Sequence, residues 1–235
     1  MIKSIYKTAQ NMYAKENNLE IVANNVSNVN TSGFKRELPF SEIMSRYQNT
    51  PVKQITDTQQ GNYTQTSNPL DLTVSGNSYF LVNTPEGQQV SKNGRFRISE
   101  DGFLVNEQGY HVMGRKGDIN FHEAGVDQEQ SVNISKSGEI RLGETYVGEL
   151  QIVKVDNPSV LERKEGANFI STDSSYRAAD PEEYSVLQGY LEDSNVNPVL
   201  ELQSMIDISK EFESSQKVIN VLDHSLEQAN SIGKV

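Results

Sequence analysis

Two long segments at opposite ends of the chain carry apolar residues at helical spacing. In residues 1–36, apolar or small side chains recur at steps of three and four, interrupted by Glu16: Ile2, Ile5, Ala9, Met12, Leu19, Ala23 and Val26. In residues 190–235 the same steps give Met205, Ile208, Phe212, Ile219, Leu222, Leu226 and Ala229, with Ser215 as the weak point. The spacing predicts two helices, each with a narrow apolar seam suited to packing along another helix.

Between these helices the pattern changes to the alternation of β-strands. Short alternating runs such as residues 70–74 are separated by turn signals, among them Asn93-Gly94 and Asp101-Gly102. Short strands with turns at this frequency predict an antiparallel all-β domain over residues 61–170. Residues 146–155 are expected to form one longer strand.

The pattern divides the chain into five parts. They are an N-terminal helix with an Asn-rich turn (1–36), a connector (37–60), the β domain (61–170), a return connector (171–189) and a C-terminal helix (190–235). Asn197 is expected to cap the last helix, with Pro198 at its first position. The predicted fold class is mixed α and β, with terminal helices that form a coiled-coil domain and an inserted antiparallel β domain.

Charge favours pairing of the two ends of the chain. Residues 1–36 carry five basic and two acidic side chains, whereas residues 192–235 carry eight acidic and three basic ones. Opposite charges beside an apolar seam favour association of the helices, within one chain or between chains. Because the seams are narrow, long and terminal, we favour coiled-coil packing over ordinary core packing.

Composition excludes several classes of function. A formal charge of −11 argues against non-specific binding to nucleic acid or to an anionic membrane surface. The absence of Cys excludes disulfides, thiolate nucleophiles and Cys-based zinc sites. No apolar run approaches the roughly 20 residues of a membrane span. The N-terminal segment lacks the continuous apolar core of a cleaved secretory signal, so if the protein is exported, we expect a route that does not use one.

Nothing in the sequence points to an enzyme. His111, His122 and His224 lie far apart and lack the spacing of metal ligands. The carboxylate pairs Glu100-Asp101 and Glu182-Glu183 lie near turns, where charges are usually solvated. We therefore expect no catalytic, cofactor-binding or metal site.

Four separated segments resemble signatures of the bacterial flagellar rod and hook proteins. They are residues 23–36, residues 68–82, the hairpin segments 92–96 and 101–105, and residues 191–199, followed by Met205-Ile206 and Phe212-Glu213. The segments occur in the family's order and span most of the chain. The resemblance implies a subunit of the basal-body rod, the drive shaft between motor and hook, whose terminal helices form an inner tube with the β domain outside.

The resemblance also implies partners and location. The partners would be further copies, other rod proteins and the flagellar type III export apparatus, with no nucleic acid or small-molecule substrate and no direct membrane insertion. The location would be the rod, in the periplasmic part of the cell envelope. Residues 195–199 and 112–119 favour a proximal-rod type, narrowly, over the distal-rod type suggested by residues 1–4 and 28–31. The alternative from another class is a β-rich adhesin or binding module with helical oligomerisation ends.

These patterns assign a set of assembly residues. The N-terminal seam is Ile5, Met12, Leu19 and Val26, and the C-terminal seam is Met205, Phe212, Ile219 and Leu226; Asn24, Asn25, Asn28, Asn30, Gly33, Phe34, Asn195 and Asn197 come from the signatures. The four Asn amides of the turn can hold a bent backbone and bridge subunits, although composition alone favours a plain helix cap. Gly33 is expected to take a positive φ.

Overall fold

The computed structural model describes residues 2–39, 55–122, 131–156, 161–164, 167–171 and 176–232. The chain forms two compact units. The first, called the helical unit, contains residues 1–27, 37–55 and 196–235. The second, called the β unit, contains residues 28–36 and 56–195.

The helical unit contains two long helices, α1 (Ile2–Ser27) and α2 (Pro198–Ile232). As predicted, Asn197 caps α2: its Oδ1 accepts hydrogen bonds from the amides of Val199 (3.1 Å) and Leu200 (3.3 Å). The two helices are packed against each other. Neither of these described helices combines the length and the apolarity needed to cross a membrane.

Nineteen short strands are described along the rest of the chain. They are β1 (Glu37–Leu38), β2 (Ile55–Thr56), β3 (Tyr63–Gln65), β4 (Leu72–Val74), β5 (Ser78–Thr84), β6 (Gly87–Ser91), β7 (Arg97–Ile98), β8 (Leu104–Val105), β9 (His111–Gly114), β10 (Gly117–Asp118), β11 (Val132–Ile134), β12 (Glu139–Leu142), β13 (Thr145–Glu149), β14 (Ile152–Val155), β15 (Leu161–Arg163), β16 (Asn168–Ser171), β17 (Tyr176–Ala178), β18 (Val186–Gln188) and β19 (Tyr190–Glu192).

The β unit is organised around a ten-stranded sheet. Its strands run in the order β15-β16-β6-β5-β9-β8-β7, with β10 beside β9, β14 beside β5, and β17 beside β14. Strands β11-β12-β13 form a three-stranded sheet, and β18-β4 and β19-β3 form two-stranded ones. The described pairings in these sheets are antiparallel, as predicted.

Strand β5 lies at the centre of the core because both of its faces are buried. Phe80 and Val82 belong to one hydrophobic cluster, and Tyr79 and Leu81 belong to a second. This explains why β5 reads as a continuous apolar run and not as an alternation.

Two segments differ from the simple strand pattern of the sequence. The prediction of one strand over residues 146–155 is wrong, because β13 and β14 belong to different sheets. The break comes at buried Leu150, whose amide donates to the carbonyl of Gly138 at 2.9 Å. Residues 171–189 were predicted to be a connector, but they include strands β17 and β18. Strand β17 pairs with β14, and β18 pairs with β4.

Candidate assembly interface

The two helices of the helical unit run antiparallel. Asn25 Nδ2 lies 3.2 Å from Glu201 Oε2, and Lys15 Nζ lies 3.0 Å from Glu211 Oε2. A step of ten residues towards the N-terminus of α1 therefore matches a step of ten residues towards the C-terminus of α2. This register places a continuous stripe of one helix against a continuous stripe of the other.

The stripe on α2 follows the predicted spacing. Met205, Phe212, Ile219 and Leu226 are all half-buried, and Ile208, Ser215 and Leu222 between them are half-buried as well. The steps of three and four that the sequence showed are therefore the steps of the covered face. Whether these residues also form an interface between subunits stays a prediction at this point.

The stripe on α1 agrees with the predicted one at every second position. Ile5, Met12, Leu19 and Val26 are half-buried. The intervening positions differ: Ala9 and Ala23 are exposed, and the covered positions are Thr8, Lys15 and Val22. Glu16, the predicted break in the seam, is exposed as well. At Ala9 and Ala23 the predicted seam is wrong for packing within the chain. Steps of three and four allow either choice, and Lys15 can occupy a seam position by covering it with its methylene stem while its ammonium group reaches Glu211.

Asn25 is the fully buried member of the Asn-rich segment in the helical unit. Its Oδ1 accepts the amide of Glu37 at 2.9 Å, and its Nδ2 donates to the carbonyl of Glu37 at 2.8 Å and to Glu201 Oε2. One side chain thus holds the backbone after the turn and the first turn of α2 together. The sequence singled out Asn25 but missed Glu201, because an acidic residue in a first helical turn is usually explained by the helix dipole.

Asn24 and Asn28 each accept a hydrogen bond from a residue close by in sequence. Ser27 Oγ donates to the carbonyl of Asn24 at 2.8 Å, and Thr31 Oγ1 donates to Asn28 Oδ1 at 3.1 Å. Asn30 is exposed.

Gly33 takes the positive φ that the sequence predicted, +69°. It also makes a close backbone approach within the β unit, since an added Cβ would lie 2.4 Å from the carbonyl carbon of Lys92. Its amide donates to the carbonyl of Glu192 at 2.7 Å. Only glycine satisfies both the conformation and the contact.

Phe34 and Asn195 lie in the same region of the β unit. Phe34 is buried, and the guanidinium of Arg163 lies 4.1 Å from its ring centroid. Asn195 Oδ1 accepts the amide of Arg36 at 2.6 Å, and its Nδ2 donates to the carbonyls of Asp57 (2.9 Å) and Gln59 (3.0 Å). Asn195 therefore joins three segments of backbone.

Beside these contacts lies a buried cluster of charged side chains, for which the sequence analysis predicted no role. Lys35 Nζ is 2.5 Å from Glu192 Oε1, and Lys92 Nζ is 3.8 Å from Glu192 Oε2. Burial lowers the pKa of Lys92 to about 8, although Glu192 opposes the shift. Burial, and then the charge of Glu192, raises the pKa of Tyr79 to about 12. The signal in the sequence was that Lys35, Lys92 and Glu192 each lie in a signature segment.

The histidines give no sign of a reactive site. His111 pairs with Asp118 at 2.8 Å, and His224 lies 3.6 Å from Glu227, both on exposed surfaces. The ring of His122 lies against Gly102. Among the residues that the structure describes, no three His, Asp or Glu side chains are grouped to hold a metal ion.

Comparison with known proteins places this arrangement in a class. Three family models match successive parts of the chain: the flagella basal body rod protein model over residues 8–35, the flagellar hook protein FlgE/F/G D1 domain over 73–142, and the flagellar basal body rod FlgEFG protein C-terminal model over 187–232. The first and last contain most of the two helices, and the second contains much of the β unit. All three models describe flagellar basal-body rod or hook proteins.

Relatives match over the full length of the chain. It is 29% identical to the flagellar basal-body rod protein FlgF of Caulobacter vibrioides, covering 100% of each chain. It is 29% identical to FlgG of Agrobacterium fabrum, covering 99% of each, and 27% identical to FlgG of Bacillus subtilis, covering 97% of this chain and 98% of that one. The chain belongs to the flagellar rod and hook protein family, and the resemblance seen in its signature segments is confirmed.

Proposed function

We propose that this chain is a structural subunit of the flagellar basal-body rod, which polymerises through its terminal helices and transmits torque from motor to hook. The observation that carries the proposal is the outward surface of the helical unit. Of the ten exposed large hydrophobic side chains among the described residues, eight lie on α1 and α2: Tyr6, Tyr13, Val199, Leu200, Leu202, Ile206, Val218 and Val221. Apolar surface of this kind marks a site of protein–protein contact.

Charge supports contact between copies of the same chain. On α1, Lys3 and Lys7 are exposed beside Tyr6, whereas the exposed face of α2 carries Asp207 and Glu213. A basic, aromatic face on one helix is complementary to an acidic, aliphatic face on the other. Different faces of the two copies would meet, and such heterologous contacts build a helical tube when they do not close a ring.

In this proposal the half-buried stripes act as the coiled-coil seam of each subunit. Ile5, Met12, Leu19 and Val26 lie against α2, and Met205, Phe212, Ile219 and Leu226 lie against α1, while the outward faces contact neighbours. The role is structural and requires no catalytic residue.

The proposed partners are other copies of the chain, other rod proteins and the flagellar type III export apparatus, and the proposed location is the periplasmic part of the basal body. Family membership supports both. Relatives named FlgF and FlgG align over nearly the whole chain, and residues 195–199 and 112–119 favour the proximal-rod position of the FlgF type.

The test combines deletion of the gene with substitutions on the outward face of α2. The deletion strain should be non-motile and should lack a complete rod. Ile206→Glu and Val221→Glu should fold with normal helix content, measured by circular dichroism, but should not restore motility. Gln216→Glu, which adds the same charge at an exposed polar position of α2, is the matched control and should restore it.

Two results would overturn the proposal. A deletion strain that swims normally would remove the rod function and would favour the adhesin class. Restored motility with both Glu variants would show that the outward face of α2 makes no essential contact.

A further inference from the structure

Three ionised side chains from distant parts of the sequence meet inside the β unit. Lys35 and Glu192 are each 1% exposed, and Lys92 is 3% exposed. One carboxylate faces both ammonium groups, with Oε1 at 2.5 Å from Lys35 Nζ and Oε2 at 3.8 Å from Lys92 Nζ. Buried charges of like sign require such a counter-ion, since they lack the screening of water.

Among the residues that the structure describes, the other partners of the two lysines are neutral. Lys92 Nζ donates to the carbonyls of Val74 (3.2 Å) and Gly76 (2.6 Å) and lies 5.1 Å from the ring centroid of Tyr79. Lys35 Nζ donates to the carbonyl of Gln59 at 2.7 Å. Carbonyl dipoles and a ring face stabilise a cation only in part. The full negative charge beside the two lysines comes from Glu192, on strand β19.

Glu192 also holds backbone from two other segments. Its carbonyl accepts the amide of Gly33 at 2.7 Å, and its Oε1 accepts the amide of Gly61 at 3.1 Å. Just beyond it, the amide of Asn195 donates to the carbonyl of Phe34 at 3.4 Å. Residues 28–36 are thus bound to β19 and to the residues that follow it through both charge and backbone.

We propose that Lys35, Glu192 and Lys92 form a latch that makes the docking of residues 28–36 and the docking of β19 a single event. Without β19, closing residues 28–36 onto the β unit would bury two lysines with no counter-ion. Without residues 28–36, Glu192 would lose the partner at 2.5 Å. In the chain, residues 28–36 directly follow α1, and β19 ends six residues before α2. Within the β unit, the latch therefore holds in one step the segment that follows α1 and the strand that precedes α2.

Hydrogen exchange of the full-length protein at neutral pH tests the latch. Glu192→Gln keeps the size of the side chain and an acceptor for Gly61, but it removes the charge. We expect the amides of Gly33 and Gly61 to exchange at least about tenfold faster, because two buried cations are left uncompensated. Amides of the β5–β6 pairing should keep their protection. Glu144→Gln, in the exposed turn between β12 and β13, is the matched control and should change neither.

A substitution in residues 28–36 tests the coupling in the opposite direction. It also tests the latch if Glu192→Gln does not fold. Lys35→Met leaves one lysine and one glutamate, so the remaining charges balance. Because coupling between two sites is reciprocal, Lys35→Met should speed the exchange of the amides of Tyr190–Glu192. Lys136→Met, at an exposed position, is the control and should leave that exchange unchanged. Unchanged exchange of Tyr190–Glu192 in Lys35→Met, or loss of protection confined to β19 in Glu192→Gln, would overturn the proposal.

Discussion

The two units of this protein bury very different amounts of apolar surface. The β unit has two hydrophobic clusters, one on each face of β5. In the described part of the helical unit, the buried hydrophobic side chains are Val22, Leu38 and Val196. A long helix gains most of its stability from packing of its apolar face. The comparison indicates that the β unit contains its own core, whereas α1 and α2 depend on further packing for theirs.

The helical unit also differs between its two ends. Near one end of the helix pair, Val22, Asn25 and Glu201 are at most 1% exposed. Towards the other end, none of the described side chains of α1 before Asn18 or of α2 after Glu201 is buried. Order in the isolated subunit should therefore decrease away from Asn25, and assembly would cover the open end.

The difference in packing between the two units is tested most directly by changing one phenylalanine to alanine in each unit. Phe80, 1% exposed, contacts Phe96 edge-to-face with ring centroids 5.0 Å apart, whereas Phe212 is half-buried. Phe80→Ala should lower the free energy of unfolding of the β unit by about 3–5 kcal/mol because it leaves a cavity. Phe212→Ala should cost roughly 1 kcal/mol in the isolated subunit.

Urea unfolding followed by circular dichroism measures both effects. Equal losses for the two variants would show that the helical seam is packed as well as the β core. A different substitution at the same position tests assembly. Phe212→Asp places a charge in the proposed seam, so it should block assembly and abolish motility while leaving the β unit folded.

The sequence predicted the helices and the β character well, because both depend on local periodicity. On α2 the apolar positions are dense enough to define the stripe. On α1 the pattern failed at Ala9 and Ala23, since a small residue fits a seam or a surface equally well and Lys15 is not expected at a covered position.

The buried contacts could not be predicted for a different reason. Lys35 and Glu192 are 157 positions apart in sequence, and charged residues are almost never fully buried unless paired. A single sequence contains no information about which lysine would pair with which glutamate. The split at Leu150 is similar, because the assignment of β13 and β14 to different sheets is a tertiary choice that an apolar run does not reveal.

The charge cluster makes the stability of the β unit depend on pH. Between pH 8 and 10.5 the unfolded chain binds a proton at Lys92 that the folded chain has released, so the free energy of unfolding should rise with pH across this window. The gain is at most about 3 kcal/mol. Above pH 10 the unfolded chain loses the Tyr79 proton that the folded chain keeps to about pH 12, so stability should fall again. The raised pKa values of Tyr63 and Tyr184 act in the same direction as Tyr79.

Urea unfolding at a series of pH values tests this dependence. Lys92→Met should remove the rise between pH 8 and 10 and keep the fall above it, whereas the exposed control Lys136→Met should keep both. A flat profile for the natural protein would contradict the burial of a charged Lys92. The circular dichroism signal of the helices should not follow this pH profile, because the titrating groups belong to the β unit.

A smaller effect is expected at the anchored end of the helix pair. Asn25→Ala removes the partner of the Glu37 amide and carbonyl and a donor to Glu201. Leaving buried polar groups without that partner should cost about 1–3 kcal/mol. The measurement is thermal unfolding followed at 222 nm, and Asn30→Ala, at an exposed position, should change stability by less than about 0.5 kcal/mol. If the two variants are alike, the helix pair has no anchor at Asn25.

The smallest effect is expected where the two helices are joined by a surface ion pair. Lys15 and Glu211 are 3.0 Å apart, but the side chain of Glu211 is 64% exposed. Solvent screens such a pair, so Glu211→Gln should lower stability by no more than about 0.5 kcal/mol, and less at high salt. Glu213→Gln, also exposed on α2, is the control for the change in net charge. A loss above about 1 kcal/mol in Glu211→Gln alone, measured by thermal unfolding at 222 nm, would mean that this contact is shielded from water in solution. The helical unit would then have an anchor at mid-seam, and its dependence on neighbouring copies would begin only beyond Lys15.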